Sequence, residues 1–357
     1  MRRGLMQWDE DELPTAALDA RTRRLQDAMH RGDLQALLAY TNLVRPSAVS
    51  YLTGFTPYWS EGVLLLGCDG PPVFVTALSK RVAGWIRSVS PVGEIVNAPR
   101  PGHVIGARLA ADPSVRRVGV VELDALPAGL FDDLAAAAPN LEWVDATPVF
   151  AHARRGADAV ERRLTAQADA IAVAALDQVD AAAVAEVGAL IGTVEAHARL
   201  NRAEEAYILV APDLLSDRRM IRASRPLSLG SRFAVCASIA YKGHWVRRTR
   251  TFAKEAAAAR DLAAADRWLE HLVGSVNGDA PLARQIAAFL DGLAGADLRG
   301  WTAESCVGSY PLQVVATSAA ADGWHQRSGD LLVLTIDLAI AGAPWLGAAP
   351  AHVGGGA

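Results

Sequence analysis

Residues 225–252 read RPLSLGSRFAVCASIAYKGHWVRRTRTF, and this stretch decides the fold. From Phe233 to Phe252 apolar and polar residues alternate on either side of Lys242-Gly243, the pattern of two strands joined by a tight turn. So short a connection folds the arms into one antiparallel ladder. Side chains two apart share a face of a strand, so Cys236, Ser238, Trp245, Arg247 and Thr249 are expected to line one surface. A turn placed at 241–242 sets Cys236 directly opposite Arg247.

Downstream of the hairpin, AARDLAAADRWLEHLVGSV (258–276) and PLARQIAAFLDGL (281–293) have helical spacing. VGSYPLQVVATS (307–318) and DLLVLTIDLAI (330–340) read as strands, and the tail GAAPAHVGGGA (347–357) as a disordered or short extension. Upstream, residues 152–179 and about 182–200 read as helices. Asp158 is the expected N-cap of the first, and Val160, Leu164, Ala168 and Ile171 its apolar face. The first part of the chain mixes helix 15–31, strand 34–41, a strand–turn–strand over 62–76, strand 115–123 and helix 126–139. That order implies an α/β layer domain over residues 1–152 followed by a second domain over 153–357.

The chain has 357 residues, 51% of them hydrophobic, enough for two cores. A net charge of −4 gives no basic excess, so no nucleic-acid partner is expected. Lysine stands only at 80, 242 and 254, which with the abundant alanine reads as the coding bias of a GC-rich bacterial genome. Cys68, Cys236 and Cys306 are too scattered for a disulfide framework or a zinc finger, and they fit a reducing cytoplasm. The basic N-terminus lacks an apolar core of the signal-peptide kind. No run of about 18 apolar residues predicts a membrane span.

These elements and their spacing resemble the creatinase, prolidase and aminopeptidase P family. The segments that carry the likeness are LQALLAYTN…VSYLTGF (34–55), DGPPVFVT (69–76), the 225–252 hairpin with its Thr-Arg-Thr ending, and GDLLVLTIDLAI (329–340). The resemblance implies an α/β (α+β) chain: a small creatinase-like N-terminal domain, then a pita-bread domain. It also implies a homodimer. The family's metallopeptidases hold two divalent metals with two Asp, one His and two Glu, hard donors around an activated water. Position by position, the first Asp falls on Cys236 and the second on Arg247. The metal His falls near Gly308, the family's second His near Val315, and the first Glu on Asp337; no acid follows Asp337 for the second Glu. A guanidinium at Arg247 also repels divalent cations. The resemblance thus implies the fold without metal or other cofactor. Creatinase's catalytic His falls on Arg219, so creatine hydrolysis is not implied either.

The residues left point to a small amino-acid-like or carboxylate ligand. Arg247 is suited to grip a carboxylate in a fork, or to pair with Asp337 in place of the metals. Asp337, Cys236, His244 and His325 are the candidates for acid/base or nucleophilic work. Arg219, Ser238, Trp245, Tyr310 and Gln313 are the candidates for ligand contact, and Trp8, Trp59, Trp301 and Trp324 for an aromatic pocket or core. Cys236 read blandly is a small buried hydrophobe. The expected function is metal-independent acid/base chemistry in bacterial biosynthesis: condensation, cyclisation of the Pictet–Spengler kind, or C–N cleavage. The alternatives are a non-catalytic ligand- or protein-binding relative and a residual Xaa-Pro-peptidase-like hydrolase.

Overall fold

The computed structural model describes residues 6–42, 44–45, 47–57, 61–223, 226–306, 312–320 and 324–354. The chain divides into two compact units at Arg155/Gly156. The boundary expected at 152/153 falls inside a helix that ends at Ala153.

In the first unit the elements run α1 (Thr15–Arg31), β1 (Ala36–Thr41), α2 (Ser47–Thr53), β2 (Gly62–Gly67), β3 (Val73–Thr76), α3 (Ala83–Val89), β4 (Glu94–Asn97), α4 (Pro101–Ala110), β5 (Arg117–Val121), α5 (Ala128–Ala137), β6 (Glu142–Asp145) and α6 (Thr147–Ala153). The sheet order is β4-β3-β2-β1-β5-β6. It is mixed: β1 pairs antiparallel with β2 and parallel with β5. Near-continuous apolar runs such as Ala36–Ala39 arise because both faces are covered. Leu37 and Ala39 face one apolar layer, while Ala36 and Leu38 face the other.

The second unit continues with α7 (Ala159–Leu176), α8 (Val187–Leu200), β7 (Glu205–Ala211), β8 (Arg232–Tyr241), β9 (His244–Ala253), α9 (Ala256–Ser275), α10 (Leu282–Leu290), β10 (Ala296–Ser305), β11 (Gln313–Thr317), β12 (Leu331–Ile340) and β13 (Ala343–His352). Asp158 caps α7 with a full capping box, its side chain accepting from Glu161 N–H while Glu161 reaches back. The seven strands form one antiparallel sheet in the order β11-β10-β12-β13-β9-β8-β7. α7 and α9 pack on one face of it, where Arg248 of β9 reaches both Asp169 of α7 and Glu270 of α9. Leu332, Leu334, Ile336 and Leu338 of β12 meet Leu262, Leu269 and Leu272 of α9 there. The intervening residues, Val333, Thr335 and Asp337, therefore belong to the opposite, inner face.

Two expectations change. The hairpin turn is Lys242-Gly243, with Tyr241 paired to His244 and φ of 47° and 79° at the two turn residues. Positive φ at both positions is the two-residue turn that suits the natural strand twist. The register therefore shifts by one at each arm: Cys236 faces Thr249, and Arg247 faces Ser238. The shared face is as expected, but the direct Cys236–Arg247 pairing is not. The tail is also different. Residues 343–352 form β13, a central strand paired along its whole length with β12 and at Ala348 with Thr249 of β9. Its small residues read as a disordered or short extension but form a largely buried strand. The Trp345 ring lies over Gly347, where a Cβ would meet it at 2.1 Å.

Candidate functional site

The inner face is built by alternation. Cys236 and Ser238 come from β8, Trp245, Arg247, Thr249 and Thr251 from β9, Ala348 from β13, Thr335 and Asp337 from β12, and Thr302 and Glu304 from β10. Registered pairs put Cys236, Thr249, Ala348, Thr335 and Thr302 in one transverse row of small side chains. Arg247 and Glu304 lie two residues to one side of that row, and Asp337 two residues to the other. The separation of the two sides along β12 is four residues, ~13 Å.

Arg247 is the centre of the first side. Its Nε donates to Ser238 Oγ at 3.3 Å, and its Nη1 donates to Glu304 Oε2. Glu304 is 5% exposed. Three strand spacings separate β9 from β10, ~14 Å on a flat sheet, so the contact requires the sheet to curve toward this face. The pair expected between Arg247 and Asp337 is not formed. Asp337 instead accepts from Arg218 of the segment after β7, with Nη1 at 2.6 Å from Oδ1 and 2.7 Å from Oδ2. Trp245 is buried and stacks on Tyr207 of β7, with ring centroids 5.5 Å apart.

Cys236 is buried, and burial pushes its thiol pKa up against the opposing pull of Arg247 and of hydrogen bonds to Thr249 and Ser238. A buried thiol with a raised pKa matches the bland reading of Cys236 as a small packing residue. Cys306 follows Glu304 at the end of β10, and burial pushes it up to about 12.

The other candidates lie elsewhere. His244 alternates with Trp245 and so faces away from the inner surface. His325 is exposed, and its neighbour Gln326 donates to the carbonyls of Asn277 and Ala280, beyond the end of α9. Gln313 registers with Ser305, on the face opposite Glu304. Arg219 is exposed and folds back onto Asp217, which its hydrogen bonds hold below the usual carboxylate range. Trp301 and Trp324 pack into the apolar layer on the helix side. Tyr310 and Trp59 lie outside the described residues, as do Gly308 and its neighbours.

Glu304 and Arg218 were missed by sequence reasoning. A lone acid between Ala303 and Cys306 in a strand is a usable signal for Glu304. Arg218 is one residue from the Arg219 assignment, and loop register is what separates them.

Among the described residues, no group of three or more His, Cys, Asp or Glu side chains is placed to hold a metal ion. The donor chemistry points the same way. Glu304 and Asp337 are each taken up by a guanidinium, and burial raises the pKa of the Cys236 thiol.

Residues 21–155 match the family model described as the creatinase/prolidase N-terminal domain. Among solved structures, the Xaa-Pro dipeptidase from Bacillus anthracis aligns with TM-score 0.70 at 15% identity, over 94% of this chain and 95% of that one. The prolidase from Pyrococcus horikoshii OT3 aligns with TM-score 0.66 at 12% identity, over 94% and 95%. The dipeptidase PepE from Mycobacterium ulcerans aligns with TM-score 0.63 at 18% identity, over 98% and 99%. No curated protein matches. Identities this low carry the architecture and not the activity.

Proposed function

This chain has the pita-bread architecture of the creatinase, prolidase and aminopeptidase P family with that family's N-terminal domain, and from that premise we propose that it works without the family's metals. Its inner face then serves as a binding floor for a small amino-acid-like or carboxylate ligand.

The observation that carries this reading is the Arg247–Glu304 pair. A guanidinium in the floor opposes two divalent cations. The acid that might have offset it is already committed. Arg247 is the more exposed partner, its side chain 21% accessible against 6% for Glu304. An incoming group therefore meets the cation first. Guanidinium recognises carboxylate with two parallel hydrogen bonds. The row of Thr249, Thr335 and Thr302 beside it provides hydroxyls that can hydrogen-bond a ligand.

Acid/base chemistry on such a ligand would fall to Asp337 and Glu304, as condensation, cyclisation or C–N cleavage without a metal-activated water. Both carboxylates are ion-paired, which favours binding over turnover. We hold the binding role as the primary one, in a bacterial biosynthetic setting and as a homodimer. A residual peptidase is the second reading, favoured by the Xaa-Pro dipeptidase and prolidase neighbours.

Calorimetric titration with small carboxylates tests the proposal. Binding that needs no added metal and weakens about tenfold or more in Arg247→Gln is the expected result. Hydrolysis of Xaa-Pro dipeptides that appears only with Mn²⁺ would replace it with the second reading.

A further inference from the structure

Asp337 is held in an unusual way for an arginine contact. One nitrogen, Arg218 Nη1, sits 2.6 and 2.7 Å from the two carboxylate oxygens. A guanidinium that recognises a carboxylate by shape uses two nitrogens in parallel. A single nitrogen centred between both oxygens is the geometry of an ammonium. Arg218 therefore fills a seat whose shape suits a primary amine.

The segment that delivers Arg218 is built to lie on the inner face. After β7, Leu214 and Met220 pack against Ala234 and Leu346, and Leu346 registers with Asp337 itself. Val210 and Ile221 exchange two backbone hydrogen bonds of 2.9 Å, which close residues 211–220 into a loop. Leu214 N–H donates to Arg232 O at 2.9 Å and ties the loop to β8. A Cβ at Gly230 would strike Asp213 at 2.8 Å, so the loop base is closely seated. The loop is anchored at its base, and Arg218 is its reach onto the floor.

The two charge pairs on the floor differ in how readily they exchange. Arg247–Glu304 is largely buried, and breaking it leaves an uncompensated charge. Arg218–Asp337 is half-exposed, with side chains 40% and 29% accessible. Pairs of that kind contribute little net free energy and swap partners at little cost.

We propose that Arg218 is a built-in occupant of an amine seat at Asp337, displaced when the ligand's own ammonium pairs with Asp337. This rests on the carboxylate-binding reading of Arg247 and adds the ligand's second charged group. The ligand is then a short zwitterion. Its carboxylate lies at Arg247, its amine at Asp337, and its chain crosses the row of Thr249 and Thr335. Thr335 Oγ1 is buried without a hydrogen-bond partner, so it is placed to donate to the ligand's middle. Arg218 acts as a competitor that keeps the empty floor neutral.

Calorimetry with matched probes tests this on the full chain: linear ω-aminocarboxylates of three to eight carbons, the same carboxylates without the amine, and butylamine alone. Arg218→Ala should tighten the best aminocarboxylate about two- to fivefold, the range of an exposed ion pair, and give the amine-free carboxylate no such gain. Asp337→Asn should remove the advantage of the amine in both backgrounds. Butylamine should bind more tightly to Arg218→Ala than to the wild type, and this gain should vanish in the Arg218→Ala/Asp337→Asn double variant. Equal affinity of aminocarboxylate and carboxylate, or no gain for either amine probe in Arg218→Ala, overturns the proposal. Loss of all Arg247-dependent carboxylate binding would sink the reading it rests on, and the butylamine arm would still decide the seat. Far-UV circular dichroism of each variant separates a changed seat from a changed fold.

Discussion

Arg247 and Glu304 meet across two intervening strands in a place that a close-packed sheet gives little water. Removing one partner strands the other, whereas replacing both by apolar groups does not. Glu304→Gln is therefore expected to lower stability by about 3 kcal/mol. The double replacement Arg247→Met with Glu304→Leu is expected to recover most of that. Urea unfolding midpoints of the three proteins check it. On the helix side of β9, Arg248 pairs with Asp169 and Glu270, and Arg250 with Asp177. Asp266 receives the Trp345 indole N–H, and burial raises its pKa to about 6 against the pull of Arg250. Its charged form is disfavoured in the fold, so its contribution to stability falls as pH rises from about 3.8 to about 6. Asp266→Asn should stabilise the protein at pH 7 and flatten the stability profile between pH 4 and 6; a steeper profile would contradict this. Reading residues from the sequence worked where alternation decides the face, as for Cys236, Ser238, Trp245 and Arg247. It failed for the partners. Arg218 and Glu304 come from other elements, and only the folded sheet brings them to Asp337 and Arg247.

The β8–β9 hairpin shows how one turn sets a whole element. Positive φ at Lys242 and Gly243 fixes the two-residue turn, and the turn fixes that Arg247 faces Ser238. Gly243→Ala puts a Cβ into the left-handed region at a cost of about 1–2 kcal/mol, which thermal unfolding would register as a lower midpoint. Strand β13 was the least legible element. Ala, Gly and Pro dominate residues 343–352 and lack the β-branched side chains that mark strands. Burial on both faces of a curved sheet selects them for size, as the Trp345 ring over Gly347 makes plain. Gly347→Val should expel Trp345 from the apolar layer under α9, seen as loss of cooperative unfolding; a variant with wild-type stability would contradict the packing. The helices were easier. The apolar stripe of α7 and its Asp158 cap are local signals, and Val160, Leu164, Ala168 and Ile171 are all buried.

At the scale of the whole molecule, each unit carries its own sheet and core. Residues 6–155 are expected to fold when expressed alone, with mixed α/β circular dichroism and a cooperative transition as the check. The α/β layer of the first unit could be read from the order of its elements, whereas the sheet of the second unit was implied only by the family resemblance. Of the chemistry, alternation put Cys236 and Arg247 on one inner face, and Glu304, the ion-pair partner of Arg247, comes from an element far away in sequence. The proposal that an internal ion pair stands in place of metals is decided by metal content after purification and incubation with Mn²⁺. Well under one equivalent of metal per chain is expected, with the Glu304→Gln and wild-type proteins alike. About two equivalents, the complement of a dinuclear hydrolase, together with Mn²⁺-dependent cleavage of an Xaa-Pro dipeptide, would contradict it.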